Sequence, residues 1–433
     1  MKNIKKEFPK TYILPYQIGV YLAVNSVPDA CLVIDGPNCV LPKVDLLAGN
    51  HDLNSTLLSP LGRHRVVCTM AGPLPQQANP EKSIAKILES AAASGEYGVV
   101  LVTGLPFMSL AGVDYDGIAS GIRSKSPVTA VAALSMEEDW LDGYDRSLEA
   151  LISVLPARRQ AKQKRSVALA GYLYDRGERD HRANLSELKR LLSLAGLNLT
   201  CVIPDGTDFK NWRRALSAEL VVSLPYGRRA AARLAAISGA RLIETGLPVG
   251  LGGTSAWLTA IRRAAGLKGP LPPALAEEER EVAAGLSGAL GFLAHGGVVF
   301  SGDPHLFTAV AGFTRELGMR VPAAFLNSRS RPLAAGGAAP VLLFSPPVDA
   351  AARALAALSA YDKPALAVCD SFARAEGLTG GAAHVELGFP SYARHCLHDE
   401  PFMGYAGARA LAGRLLNAAL ERATRPDGEA QPL

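Results

Sequence analysis

The sequence predicts an α/β protein of three Rossmann-like domains, each with a parallel sheet flanked by helices. Apolar runs of strand length recur along the chain, and strands apolar on both faces belong in parallel sheets covered by helices. Amphipathic stretches lie between these runs, and such alternation is typical of doubly wound α/β units. The length of 433 residues is too great for one core and predicts two or three domains.

The predicted elements follow from the apolar pattern. A helix is predicted over 183–196, where leucines recur at helical spacing. The predicted strands are the apolar runs at 30–35, 66–67, 97–104, 128–134, 166–173, 197–203, 220–224, 296–302, 340–345 and 365–369.

Two segments interrupt the alternation and predict domain boundaries. Residues 155–166 are polar and basic, and the absence of interleaved aromatic residues favours a linker over a nucleic-acid patch. Residues 267–293 hold three prolines and then a long acidic-to-apolar helix, which is typical of the entry to a new domain. We therefore expect an N-terminal α/β domain over 1–160, a second over 161–270, and a third with a C-terminal helix over 271–433.

Composition indicates the class of protein and its surroundings. Hydrophobic residues make up 48% of the chain and charged residues 20%, which is typical of a globular protein. Six widely spread cysteines without a framework spacing favour a reducing compartment. No apolar stretch reaches the length of a membrane span, and a net charge of +5 does not require a nucleic-acid partner. We expect a soluble cytoplasmic protein that binds neither membrane nor nucleic acid.

Two cysteines directly follow predicted strands. Cys39 comes after the turn at 35–38, and Cys68 follows the run at 66–67. Thiolates are soft enough to hold iron–sulfur clusters. A buried cysteine is also an ordinary small apolar residue, and the chain has no C-x-x-C spacing. On the residues alone, both interpretations stay open.

Other polar motifs favour structural roles. The loops at 246–258 and 301–307 could bind an anion at a helix N-terminus, but they match neither a dinucleotide fingerprint nor a P-loop, so capped turns are favoured. No G-x-S-x-G elbow is present. His395, His398 and Asp399 could ligate a metal, although a polar loop is the favoured interpretation.

The C-terminal segment carries a family resemblance. Residues 385–421, VELGFPSYARHCLHDEPFMGYAGARALAGRLLNAALE, resemble the C-terminal stretch of the nitrogenase molybdenum–iron protein β-subunit. Three further segments resemble the same family and occur in the same order: ELKRLLSLAGLNL, LPVGLGGTSAWLTAIRRAAG and the G-D-P segment at 277–319. The resemblance covers about residues 16–422. It extends to nitrogenases, their cofactor-assembly scaffolds and the dark protochlorophyllide and chlorophyllide reductases.

The resemblance implies that Cys39 and Cys68 ligate a [4Fe–4S] cluster shared with a partner subunit. The third cysteine of the family falls near Pro106 in this chain and is absent. Two thiolates cannot fill the four terminal sites of such a cluster. The partner, or a carboxylate such as Asp35, would supply the rest. In the protochlorophyllide reductases an aspartate ligates a cluster shared between subunits, which is a precedent for ligation by Asp35.

The resemblance also implies a β-type subunit of a nitrogenase-like reductase, paired with a homologous α-type subunit in a heterotetramer. An ATP-dependent iron protein would pass electrons through the cluster to a site for a small-molecule substrate. ATP would bind that iron protein only, since this chain has no ATP motif, and no catalytic residue is predicted here. The alternatives are a scaffold for metal-cofactor assembly and a metal-free member of the fold.

Overall fold

Three parallel sheets with helices on their faces form the protein, as the sequence predicts. The computed structural model describes residues 10–59, 64–71, 80–156, 160–329 and 339–424. The strands are β1 (Ala30–Asp35), β2 (Val66–Cys68), β3 (Val99–Gly104), β4 (Val128–Ala130), β5 (Gln163–Ala170), β6 (Asn198–Ile203), β7 (Ala218–Ser223), β8 (Arg241–Glu244), β9 (Gly297–Gly302), β10 (Arg320–Leu326), β11 (Val341–Phe344), β12 (Leu366–Cys369) and β13 (Ala383–Glu386).

Strand order creates a crevice at the end of each sheet. The orders are β2-β1-β3-β4, β6-β5-β7-β8 and β11-β10-β9-β12-β13, with parallel pairing throughout. The direction of winding reverses between β1 and β3, between β5 and β7, and between β9 and β12. Ligands of open α/β sheets bind beyond the carboxyl ends of strands at such reversals. Each sheet lies within one predicted domain, and the domain boundaries stay predictions.

Helices cover both faces of the sheets. They are α1 (Tyr16–Asn25), α2 (Leu41–Leu47), α3 (Pro80–Ala93), α4 (Tyr115–Gly121), α5 (Trp140–Ser153), α6 (Arg179–Leu194), α7 (Arg228–Ser238), α8 (Leu251–Ala264), α9 (Pro273–Leu293), α10 (Pro304–Glu316), α11 (Val348–Ala356), α12 (Ser371–Ala375) and α13 (Gly404–Thr424). Within the described ranges, none of these helices is both long and apolar enough to cross a membrane.

The first helix is fully buried against α5. A Cβ atom at Gly19 of α1 would overlap the carbonyl oxygen of Trp140, and one at Gly143 of α5 would overlap that of Tyr16. The two glycines therefore let the helix backbones approach closely. One continuous apolar core then joins these helices to all three sheets.

Each predicted apolar run contains a strand, but three further strands are not predicted by the pattern. β8 and β13 lie at sheet edges, and they carry charged or polar residues. β10 contains Pro322, which lacks the amide donor of a ladder, and its pairing with β9 shifts register between Arg320 and Ala323. Apolar runs alone miss such strands.

The prediction that 155–166 is a linker is wrong for its second half. β5 begins at Gln163, and the Lys162 ammonium group donates to the carbonyl oxygens of Leu216 and Ala218 at 3.1 and 2.8 Å. The first three residues of β5 are exposed, so the apolar pattern of this strand starts late. Residues 157–159 of the segment lie outside the described residues.

Candidate functional site

Cys39 and Cys68 emerge at the carboxyl ends of two neighbouring parallel strands. β1 pairs with β2 so that Ile34 lies beside Cys68. The chain then turns at Gly36, whose φ of 150° and contact with Leu105 suit glycine, and a short 3-10 helix carries Cys39. The topology thus brings the two sequence-predicted thiols to one edge of the first sheet.

These two thiols are the accessible cysteines of the described residues. Cys39 is exposed and Cys68 is partly buried, whereas the other four cysteines are buried. Burial raises the pKa of the Cys68 thiol, and the negative charge of a nearby Cys39 thiolate raises it further. The sulfur of Cys68 also lies 3.9 Å from that of Met70. Cys31, Cys201 and Cys369 lie in strands, as expected of core residues.

Asp35 is fully engaged within the fold. Its Oδ1 accepts a hydrogen bond from the Thr69 hydroxyl at 2.7 Å, and its Oδ2 accepts one from Tyr115 at 2.9 Å. The Thr69 hydroxyl oxygen also accepts from the Gly36 amide at 3.0 Å. Asp35 is 1% exposed, so its carboxylate ties the loop after β1 to the loop after β2.

The donor set fits half of an iron–sulfur cluster site. Two neighbouring thiols supply soft ligands. No group of three or more histidine, cysteine, aspartate or glutamate side chains in the described residues is placed to hold a metal ion. Pro106, where the third cysteine of the family would fall, carries no ligand atom. The described residues thus offer two thiols at this edge, fewer than the four terminal ligands of a [4Fe–4S] cluster.

A second polar cluster, which sequence patterns do not predict, joins the three sheets. His51 Nε2 lies 3.3 Å from Asp175 Oδ2, and His181 Nε2 lies 2.7 Å from Asp175 Oδ1. The Ser391 amide donates to His51 Nδ1 at 3.0 Å, which leaves Nε2 to carry the proton toward Asp175. The Tyr172 hydroxyl oxygen lies 2.9 Å from His181 Nδ1. We call Asp175 and these two histidines the Asp175 cluster.

Asp175 and His181 of this cluster line a cavity between the second and third sheets. The sequence signal that could have indicated this cluster is the dense charge of YDRGERDHR, residues 174–182, which begin shortly after the end of β5. Buried ions need partners, and these charges form ion pairs with one another. The lining of the cavity includes Asp175, Arg176, His181, Asp303, Glu386 and Arg394.

The Asp175 cluster predicts a stability maximum at weakly acidic pH. Burial alone would lower the pKa of His181, but the carboxylates of Asp175 and Asp180 raise it above 6.5. Burial would raise the pKa of Asp175, but the two histidines hold it well below 3.8. The His181 contribution is present below pH 6.5 and is lost as the pH rises through its folded-state pKa. The Asp175 contribution is present above pH 3.8 and is lost as the pH falls further.

Urea unfolding from pH 4 to 9 measures this dependence. We expect the midpoint to fall above pH 6.5, and we expect His181→Gln to flatten that fall because glutamine does not titrate. If the urea midpoint falls with pH equally steeply in the wild-type protein and in His181→Gln, the role of His181 is contradicted.

The remaining sequence candidates have structural roles. The Asp303 carboxylate caps α10 by accepting from the amides of His305 and Leu306. The Glu316 carboxylate accepts from the first amides of α8, so a side chain already occupies that helix N-terminus. In both helices a carboxylate thus accepts from the first backbone amides, Asp303 as the cap of α10 and Glu316 from outside α8.

The two C-terminal histidines engage different carboxylates. His395 Nδ1 lies 2.7 Å from Glu178, and His398 Nε2 lies 3.4 Å from Glu400. Asp399 pairs with Arg179. In the described structure these side chains therefore take part in separate ion pairs, and the interpretation of a polar loop stays a prediction.

The three parallel sheets flanked by helices define an α/β protein, and two accessible thiols lie at the carboxyl edge of its first sheet. A family model for nitrogenase component 1 type oxidoreductases matches residues 79–420. The match spans most of the chain, and the chain belongs to this family, which confirms the resemblance. The matched range begins after both Cys39 and Cys68, so membership does not by itself assign their roles.

Two curated relatives and two solved structures agree with this assignment. The chain is 27% identical over 196 residues to the nitrogenase molybdenum-iron protein beta chain of Frankia alni, covering 43% of this chain and 36% of that protein. It is 25% identical over 274 residues to the beta chain of Sinorhizobium fredii (strain NBRC 101917 / NGR234), covering 56% and 52%. The aligned parts thus span about half of those beta chains or less.

The solved structures share the fold over almost the whole chain. "Nitrogenase Cp1 at pH 6.5" matches with a TM-score of 0.80 and 15% identity, covering 99% of this chain and 96% of that one. "Nitrogenase Cp1 at pH 5" matches with a TM-score of 0.67 and 13% identity, covering 99% and 92%. At this identity the likeness shows the fold.

Proposed function

We propose that this chain is the β-type subunit of a nitrogenase-like reductase. It relays electrons from an ATP-dependent iron protein, through a [4Fe–4S] cluster shared with a homologous α-type subunit, to a site for a small-molecule substrate. The observation that carries this proposal is the pairing of Cys39 and Cys68 at adjacent strand ends, in a chain of the nitrogenase component 1 family.

Accessibility supports an interfacial cluster. Cys39 is exposed and Cys68 is partly exposed, so both sulfur atoms are available to a cluster that a second subunit also touches. This chain supplies two thiolates, and a cluster with four terminal sites needs two more ligands. The cluster would accept and pass on single electrons, at a potential set by burial and by hydrogen bonds to its sulfur atoms.

The contacts of Asp35 favour a positioning role over direct ligation. Both carboxylate oxygens accept hydrogen bonds from hydroxyl groups, and one of these donors, Thr69, directly follows Cys68. Asp35 itself heads the turn that leads to Cys39. The carboxylate thus fixes the spacing between the two ligand-bearing loops.

We expect Asp35→Asn to loosen the two loops without changing the ligand set. The amide of asparagine accepts through only one atom, so one hydroxyl group loses its acceptor, at a cost of about 1–3 kcal/mol. The measurements are the urea midpoint and the EPR spectrum of the reduced complex. A lower midpoint with unchanged g-values supports positioning, whereas altered g-values would assign Asp35 as a ligand.

Electron relay is tested directly by mixing. The cluster-loaded complex is combined anaerobically with the reduced iron protein, with and without MgATP, and the EPR signal of its cluster is followed. Relay predicts a cluster that becomes reduced only when MgATP is present. A cluster that stays oxidised, and passes instead to an apo-acceptor protein, would favour the assembly scaffold.

A further inference from the structure

A third sulfur atom lies beside the two thiols at the edge of the first sheet. Met70 follows Cys68 by two residues, and its Sδ atom lies 3.9 Å from the Sγ atom of Cys68. Met70 is 63% exposed, and its backbone has a φ of 62°, in the left-handed region that residues other than glycine rarely adopt. Burial of apolar surface therefore does not account for the position of this thioether.

Hydrogen bonds to Thr69 hold the sharp turn that carries Met70. The hydroxyl oxygen of Thr69 accepts from the Ala71 amide at 3.3 Å, which closes the turn around Met70. The same oxygen accepts from the Gly36 amide at 3.0 Å. The turn is thus fixed against the loop that leads from β1 to Cys39.

The two thiols lie close enough to act electrostatically on each other and on one buried neighbour. Burial raises the pKa of the Cys68 thiol, and negative charge on Cys39 raises it further. Tyr21 is fully buried in α1, and burial followed by negative charge on Cys39 and on Cys68 raises the pKa of its hydroxyl group. We call the three sulfur donors Cys39, Cys68 and Met70 the sulfur edge.

The spacing of Cys68 and Met70 fits two ligands of one metal ion. A sulfur ligand lies about 2.3 Å from its ion, so two such ligands at tetrahedral or trigonal angles lie about 3.8–4.0 Å apart. The terminal ligands of a [4Fe–4S] cluster bind different iron atoms and therefore lie farther apart. The pair at 3.9 Å thus has the geometry of a mononuclear site.

The chemistry of the donors selects the ion. Thiolate and thioether sulfur are soft ligands that select Cu(I), whereas Zn(II) sites in proteins use thiolate, imidazole and carboxylate. From these observations we infer that the sulfur edge binds one Cu(I) ion through Cys39, Cys68 and Met70. Binding releases the two thiol protons to solvent, and the copper stays Cu(I) throughout.

The copper site goes beyond the proposed relay and is separable from it. The ion and the cluster share Cys39 and Cys68, so a chain that holds one does not hold the other, but only the copper site uses Met70. Met70 also precedes the range 79–420 that the family model matches. Met70→Leu is therefore expected to weaken copper binding by the isolated chain and to leave the iron content of the heterodimer unchanged.

Anaerobic titration of the full-length chain with Cu(I), in competition with the indicator bicinchoninate, tests the inference. Wild-type protein is expected to withdraw about one Cu(I) ion per chain from the indicator. Loss of an outer partner of a metal ligand already costs about 10–100-fold in affinity, so Met70→Leu is expected to weaken binding at least about tenfold. X-ray absorption at the copper edge should count three sulfur neighbours in wild type and two in Met70→Leu, a change that a purely structural role of Met70 does not produce.

The matched control is Met136→Leu. Met136 is 73% exposed and lies between β4 and α5, so its replacement is expected to leave Cu(I) binding unchanged. Met70 is itself a surface residue, so leucine at this position should not prevent folding. Failure of wild-type protein to withdraw Cu(I) from the indicator would overturn the inference. Equal affinity of wild type and Met70→Leu, or three sulfur neighbours of copper in that variant, would overturn it as well.

Discussion

The Cys39→Ala variant, isolated anaerobically with the subunit that co-purifies with it, is expected to lose its iron. The proposed cluster has two thiolate ligands in this chain, so removal of one would leave it with a single anchor here. We expect the iron content to fall from about four atoms per heterodimer to below about one, because each terminal iron site needs a ligand. Cys68→Ala should give the same result, as measured by iron and sulfide analysis.

The matched control is Cys201→Ala. Cys201 lies buried in β6, and burial raises the pKa of its thiol to about 12, so it is an inert core residue. Its loss should leave the iron content unchanged. Equal iron in the Cys39→Ala and Cys201→Ala complexes would remove Cys39 from the ligand set.

Asp175→Ala is expected to cause the largest loss of stability. The substitution removes the carboxylate that His51 and His181 share in a buried site, so His181 loses the group that compensates its charge. Breaking a buried ion pair from one side costs about 3–5 kcal/mol. Because His51, Asp175 and the Ser391 amide that contacts His51 come from the three different predicted domains, the loss should appear in the urea transition of the whole chain.

Two variants separate this effect from a general effect of charge removal. Asp175→Asn keeps the shape but removes the charge, and it should also destabilise. Asp349→Ala removes a carboxylate from an ion pair with Arg353 that is exposed on both sides, and it should change little. A urea midpoint for Asp175→Ala close to that of Asp349→Ala would contradict the role assigned to the Asp175 cluster.

Apolar runs predicted most of the fold because buried parallel strands have a continuous apolar sequence. Apolar runs did not predict strands, or parts of strands, in which charged residues, proline or an exposed edge interrupt the apolar sequence. β8 is exposed at an edge, β10 carries Pro322, and the charged start of β5 resembles a linker. Such strands form by pairing with neighbours from distant parts of the chain, which a local pattern does not record.

The candidate site was predicted only in part for a similar reason. Cys39 follows β1 and Cys68 ends β2, so parallel pairing of these strands brings them to one edge. The contacts of Asp35 depend on Thr69 and Tyr115, which lie far along the chain. His51 reaches Asp175 only through the packing of the first sheet against the second. Such pairings become visible only in three dimensions.

The central claim is that this chain holds half of a shared [4Fe–4S] cluster. The most direct measurement is iron and sulfide analysis of the anaerobically co-purified complex, with EPR spectroscopy after reduction by dithionite. We predict about four iron and four sulfide atoms per heterodimer and the signal of a reduced [4Fe–4S] cluster. If the two subunits still pair but the complex holds no iron, the claim is contradicted. Cys39 and Cys68 would then be ordinary thiols, exposed and partly buried, without a metal role.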